Sequence, residues 1–235
     1  LKVVKDGAGN SSVLYISDDQ IKIIPKNDDT TTLLDVQDKD GNTKFVIDTT
    51  NDSVKALGHH VNTHYAYFGV NYIDASDYAT GTHYPIPFSA VNGGGSTTND
   101  VDFGTGTDPD DSFTLANTDT QYGAQIVPMI WRIPDNITID SVTHLEGANA
   151  STGNPNSMHL KSFTYTTNST SALTSGVLLA QNGSSANRGN DKTYLRTWTI
   201  DSADVDAGKA ILCFFKSAGT NSDYSLNVTI KYHLR

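Results

Sequence analysis

The sequence predicts an all-β protein in which an N-terminal β-hairpin stem is followed by an antiparallel, jelly-roll-like β-sandwich. Three observations carry this. Apolar residues alternate or fall in short runs, and no helical period is sustained along the chain. The breaks between runs are rich in Gly, Asn, Asp and Ser. The composition is 37% hydrophobic and only 18% charged, so small polar residues fill the difference, as they do in turn-rich β proteins.

In the first segment SVLYIS (residues 12–17) and QIKIIP (20–25) flank the turn Asp18-Asp19. TLLDVQ (32–37) and TKFVID (43–48) then flank DKDGN (38–42), a loose repeat of the first hairpin. From His64 the predicted strands lengthen: HYAYFGVNYI (64–73), DSFTLA (111–116), GAQIVPMIWRI (123–133), NITIDSVTHLE (136–146), SMHLKSFTYTT (157–167), SGVLLAQ (175–181), KTYLRTWTI (192–200), GKAILCFFKS (208–217) and DYSLNVTIKYHL (223–234). Alternation is cleanest in the last, with Tyr224, Leu226, Val228, Ile230 and Tyr232 on one face. Gly, Thr and Asp dominate a long connection at 92–111, and DSADVDAG (201–208) is the one segment that reads as a helical turn, with Asp201 or Ser202 as cap and Gly208 as terminator.

A formal charge of -10, from 16 basic and 26 acidic residues, repels phosphate backbones and argues against nucleic acid as a partner. No run is long and apolar enough to span a bilayer, and no basic-then-apolar leader is visible, so neither membrane insertion nor a signal peptide is expected. Cys213 is the single cysteine, which excludes an internal disulfide, and its apolar neighbours predict a buried strand residue.

An isolated hairpin of the kind seen before residue 58 is marginal in water. Copies from several chains wrapped round a shared axis bury each other's apolar faces and cover exposed strand edges. The expectation is a homo-oligomer, drawn as a trimer, with residues 1–58 as an oligomerising and docking stem and 59–235 as the sandwich head.

Leu34, Val36, Asp38, Gly41, Asn42, Phe45, Ile47, Asp48 and Thr49 follow an L-x-V-x-D-x-x-G-N-x-x-F-x-I-D-T pattern. In this the segment 33–56 resembles fibre, knob and decoration proteins of tailed bacteriophages, and the last strands are similar to the closing strands of virion jelly-roll modules. The resemblance implies a structural or adhesive virion component rather than an enzyme, without a cofactor, assembled in the host cytoplasm and exposed on the head or tail of the particle. Its stem would dock to other capsid or tail proteins. A receptor-binding fibre tip and a glycan-cleaving enzyme are the rivals.

Aromatic residues offer the main route to a ligand. Tyr65, Tyr67, Tyr72, Tyr78 and Tyr84 lie close together in sequence beside Asp and Asn, a mixture able to stack on sugar faces and bind hydroxyls on a host-surface glycan. Core or subunit-interface packing is the competing role for the same rings. Asp108, Asp110 and Asp111 concentrate negative charge as an ion site would, although solvated acidic loops look alike. His59, His60 and His64 sit at the expected stem-to-head junction, where a threefold axis would offer one imidazole per chain to a metal ion. DKDGN has alternating oxygens but reads as a hairpin turn rather than a calcium loop. No nucleophile elbow or phosphate-binding glycine loop is present. Glu146 is the only glutamate against twenty-five aspartates, which disfavours a Glu-based acid or base.

Overall fold

The computed structural model describes residues 1–88, 103, 126–150, 155–169, 173–183, 192–219 and 222–235. Apart from Phe103, the long connection at 92–111 and the strand expected at 111–116 lie outside these residues. The chain is all-β and divides into two compact units, Leu1–Thr63 with Arg235, and His64–Leu234. Among the described residues no helix is long and apolar enough to cross a membrane.

The first unit holds two small antiparallel sheets. One contains β1 (Lys2–Lys5), β2 (Ser11–Ile16) and β3 (Ile21–Ile23), and the other β4 (Leu34–Gln37), β5 (Thr43–Asp48), β6 (Ser53–Ala56) and β7 (His59–His60), each in chain order. Both open with the same D-x-x-G-N turn, at Asp6–Asn10 and Asp38–Asn42, and the turn dictates its own residues. In each, the Asp carboxylate accepts backbone N–H bonds from the residues two and four positions on, at 2.9 and 2.8 Å for Asp6 and 3.0 and 3.0 Å for Asp38. The glycine takes φ +83° at Gly9 and +82° at Gly41, where a side chain would be strained.

These bonds favour the charged carboxylate. In the second turn the Lys44 ammonium, 2.9 Å away, and the Asn42 amide pull Asp38 from 3.8 down to about 2. A folded-state value below the unfolded one gives a contribution that is complete above the unfolded value and lost as pH falls through the folded one. The turn is therefore expected to loosen between about pH 4 and about pH 2, read as loss of amide protection at Asp40 and Asn42. Asp38→Asn should show the same loosening at neutral pH.

No apolar side chain in the first 63 residues is buried; Ser53 is the single buried residue there. The core begins at Ala66.

The second unit is a β-sandwich. Its strands are β8 (Thr63–Ile73), β9 (Tyr84–Ile86), β10 (Trp131–Arg132), β11 (Ile137–Ala150), β12 (Asn156–Tyr165), β13 (Leu173–Gln181), β14 (Lys192–Thr197), β15 (Thr199–Ile200), β16 (Asp204–Val205), β17 (Lys209–Ser217) and β18 (Ser222–Leu234). One sheet runs β14-β11-β18-β8 with β16 added to β11; the other runs β10-β17-β12-β13-β15 with β9 added to β17. Ile139, Val142, Leu226, Val228 and Ile230 from the first sheet share one core cluster with Met158, Leu160, Ile211, Cys213 and Phe215 from the second.

β17 explains its own sequence. Ile211, Cys213 and Phe215 enter that core, while Ala210, Leu212 and Phe214 enter a second cluster on the opposite face with Phe103, Ile126, Met129, Phe163 and Leu173. A strand buried on both sides needs an unbroken apolar run rather than alternation. Burial pushes the Cys213 thiol well above its ordinary value, as expected for a packing cysteine.

Two expectations are corrected. DSADVDAG is not a helical turn: Asp204 and Val205 form β16, with Val205 opposite Ile137, and the Ala207 N–H donates to Asn136 Oδ1 at 2.9 Å. Gly208, at φ +87°, ends a turn between strands. GAQIVPMIWRI is not one strand either. Pro128 cannot donate to a ladder, and Val127–Met129 form a single 3-10 turn before β10.

Candidate functional site

The tyrosines expected to form a ligand site separate into two groups. Tyr65, Tyr67 and Tyr72 on β8 are exposed. Tyr78 and Tyr84 are buried and turn inward, where packing replaces the ligand role considered for them. The Tyr78 hydroxyl donates to the Ser222 carbonyl at 2.6 Å, its ring meets Phe215 and Tyr224, and burial pushes its phenol up to about 12. The Tyr84 oxygen accepts the Ala79 N–H at 2.9 Å.

Among the histidines, His59 and His60 are the two residues of β7, opposite Ala56 and Lys55. Successive strand residues point to opposite faces, so the two rings lie on different sides of their sheet. His64 stacks on Tyr232 with centroids 5.5 Å apart. Asp108, Asp110 and Asp111 lie outside the described residues.

What sequence reasoning missed is a trough on the solvent face of the β14-β11-β18-β8 sheet. The register aligns Leu195, Leu145 and Asn227 in one row, and Thr193, Gly147 and Ser225 in the next. With only a glycine and a serine at its centre the second row is low. Two depressions of ≈ 440 and ≈ 360 Å³ meet there, sharing Asn71, Gly147, Thr193 and Ser225. A Cβ at Gly147 would lie 2.6 Å from Ser225 Oγ, so any side chain there would have to displace that hydroxyl from the floor of the trough.

On the β8 side the wall is Asn71 and Tyr72. After three buried residues, Phe68 to Val70, both Asn71 and Tyr72 face solvent before Ile73 returns to the core. A well-bonded loop holds the Tyr72 ring. Its hydroxyl lies 3.2 Å from Asp74 Oδ2 and also bonds Asp223, while Asp223 Oδ1 accepts the Ala75 N–H at 3.0 Å. Asp74 Oδ1 in turn accepts from the Ser76 N–H and hydroxyl at 2.8 and 2.7 Å. The Asp223 hydrogen bond, burial and the nearby carboxylates raise the Tyr72 phenol to about 12, and the Ser76 bonds lower the Asp74 carboxyl. Across the physiological range the wall is thus a neutral phenol beside the charged Asp74 carboxylate.

The core side of β11 carries a buried polar chain under this trough. The Trp198 indole N–H donates to His144 Nδ1 at 2.6 Å, and His144 Nε2 lies 3.4 Å from Glu146 Oε2. An indole nitrogen only donates, so Nδ1 must accept, which leaves the ring hydrogen on Nε2 facing the carboxylate. The contact is a hydrogen bond from a neutral imidazole rather than an ion pair. The chain's single glutamate is thereby an internal packing element with a fixed tautomer beside it.

No protein-family model matches the chain, and no curated protein matches it. A solved structure, that of an aminopeptidase from the marine sediment archaeon Thaumarchaeota archaeon, aligns at a TM-score of 0.35 and 8% identity, over 80% of this chain and 40% of that one. The chain thus spans about 40% of that protein's length. A likeness at this level carries no argument about fold or activity.

Proposed function

We propose that the chain is a non-enzymatic, homo-oligomeric structural protein of a tailed-phage particle, exposed on its surface, with the first unit as an oligomerising and docking stem and the sandwich as the exposed head. The observation that carries this reading is the absence of any buried apolar side chain in residues 1–63. Ordering a backbone costs roughly 1–2 kcal/mol per residue, and seven short strands without a core cannot offset it. The apolar side chains are present but face water: Ile21 is 69% exposed and Leu57 71%, with Ile16, Val36 and Val61 also exposed. Each contributes about 1.5–3 kcal/mol when fully buried, so a handful per chain stabilise a shared stem substantially. The L-x-V-x-D-x-x-G-N pattern of β4 and β5, similar to that of phage fibre and decoration proteins, supports the virion setting. The closed form is drawn as a trimer after the trimeric heads that follow this pattern in the phage proteins it resembles.

Light scattering of the full chain at micromolar concentration should give an oligomer, with amides of β2 and β5 protected from exchange. Ile21→Asp combined with Leu57→Asp should lower the mass toward that of one chain. A monomer whose first unit is already protected overturns the stem. Immunogold labelling of tailed particles with antibody to the chain tests the virion setting, and particles that carry no label overturn it.

A further inference from the structure

We propose that the trough over Gly147 is a binding site for a neutral oligosaccharide. The inference rests on the surface-exposed reading of the head for its biological sense, while the geometry stands on one sheet. Four strands side by side span about 14 Å at their usual spacing, and the trough is open along its length. An open channel of that reach fits an extended chain of sugars better than a single enclosed molecule.

The chemistry of the lining selects the class. Asn71 and Asn227 offer paired amide donors and acceptors, and Thr193 and Ser225 offer hydroxyls that do both, which is what a hydroxyl-covered ligand requires. Sugars also carry apolar C–H faces. Tyr72, 52% exposed and held at its hydroxyl by two carboxylates, supplies an immobile ring at one wall, and the exposed Leu145 supplies an aliphatic surface at the other.

Charge then narrows the class. Asp74 and Asp223 sit at the Tyr72 wall, within a chain of net charge -10, and Lys192 is the cation that lines the trough. Uronic acids, sialic acids and phosphorylated or sulfated sugars meet repulsion at that wall, and the same field disfavours nucleic acid. The occupant is a neutral glycan.

The test uses the full chain and oligosaccharides of glucose, galactose and N-acetylglucosamine, with sialyllactose and oligogalacturonate as acidic counterparts, read by array and then by titration calorimetry. A neutral member should bind and the acidic ones should not. Tyr72→Ala, and Asn71→Ala combined with Asn227→Ala, should each weaken binding by about tenfold or more. Thr193→Trp, at an exposed strand position, fills the trough without touching the core and should abolish binding while the melting temperature stays unchanged. Tyr65→Ala combined with Tyr67→Ala, further along β8, should leave affinity unaltered. Failure of every neutral glycan to bind overturns the proposal, as does binding that survives Thr193→Trp or is lost only with Tyr65 and Tyr67. A full chain that oligomerises without binding sinks this inference alone; one that binds as a monomer sinks the stem alone.

Discussion

Phe215→Ala lowers the unfolding free energy of the His64–Leu234 unit by about 3–5 kcal/mol, the range for emptying a well-packed aromatic site. The upper half of that range is expected because the neighbours cannot collapse into the hole. Phe215 is fully buried, with Tyr224 and Tyr78 at 5.1 and 5.6 Å between ring centroids. The Tyr78 ring is tethered through its hydroxyl to the Ser222 carbonyl at 2.6 Å, and filling the cavity would break that bond. Phe215 also stands opposite Met158 on β12 and Tyr84 on β9, whose strand positions are set by their own ladders. A domain of this size changes its melting temperature by about 2–4 °C per kcal/mol, so calorimetry should record a drop of about 10–15 °C. Val177→Ala, at an exposed position on β13, should stay within about 0.5 kcal/mol. A Phe215→Ala change as small as that of Val177→Ala would mean that the two sheets do not close on this ring.

Much of this core could be read from the chain. In β18 the side chains of Tyr224, Leu226, Val228 and Ile230 are buried as alternation requires, and the double burial of β17 is visible as the unbroken run AILCFF. Local signals failed where a distant strand decided the outcome. Residues 201–208 carry a credible cap and a terminal glycine, yet pairing of Val205 with Ile137 outweighed them. Pro128 did carry a usable warning that GAQIVPMIWRI could not be one ladder strand. The turn at Asp6–Asn10 is a second D-x-x-G-N that comparison with residues 38–42 could have found.

The trough was not legible at all. Asn71, Gly147, Thr193, Ser225 and Asn227 come from four strands, and they become neighbours only through the register of β11 against β14 and β18 and the placement of β8 beside β18. Of the five tyrosines singled out by their density, only Tyr72 stands at its wall. Density along a chain reports how many rings are available, whereas the two successive exposed residues after Val70 bring Tyr72, rather than Tyr65 or Tyr67, to the trough.

The sole glutamate shows the same limit from the inside, and it yields the second large effect. His144→Leu should cost about 3–5 kcal/mol, more than the roughly 1–3 kcal/mol expected for Trp198→Phe. In the chain from Trp198 through His144 to Glu146 the imidazole is the middle member, accepting at Nδ1 and donating at Nε2. Trp198→Phe removes one donor and leaves one buried acceptor without it. His144→Leu strips a partner from both neighbours at once, an indole N–H and a carboxylate, inside a sandwich where His144 and Glu146 are each 1% exposed. Desolvation of these groups is complete in the folded state, so water does not replace what is lost. The pair of variants ranks the members of the chain by urea unfolding with a constant slope. If His144→Leu costs no more than Trp198→Phe, the imidazole does not bridge the two, and the Nε2–H tautomer assigned to it is wrong. If the order holds, ¹⁵N spectra of the native protein should show His144 as the Nε2–H form, and the buried glutamate acts as the acceptor that orients the imidazole toward Trp198.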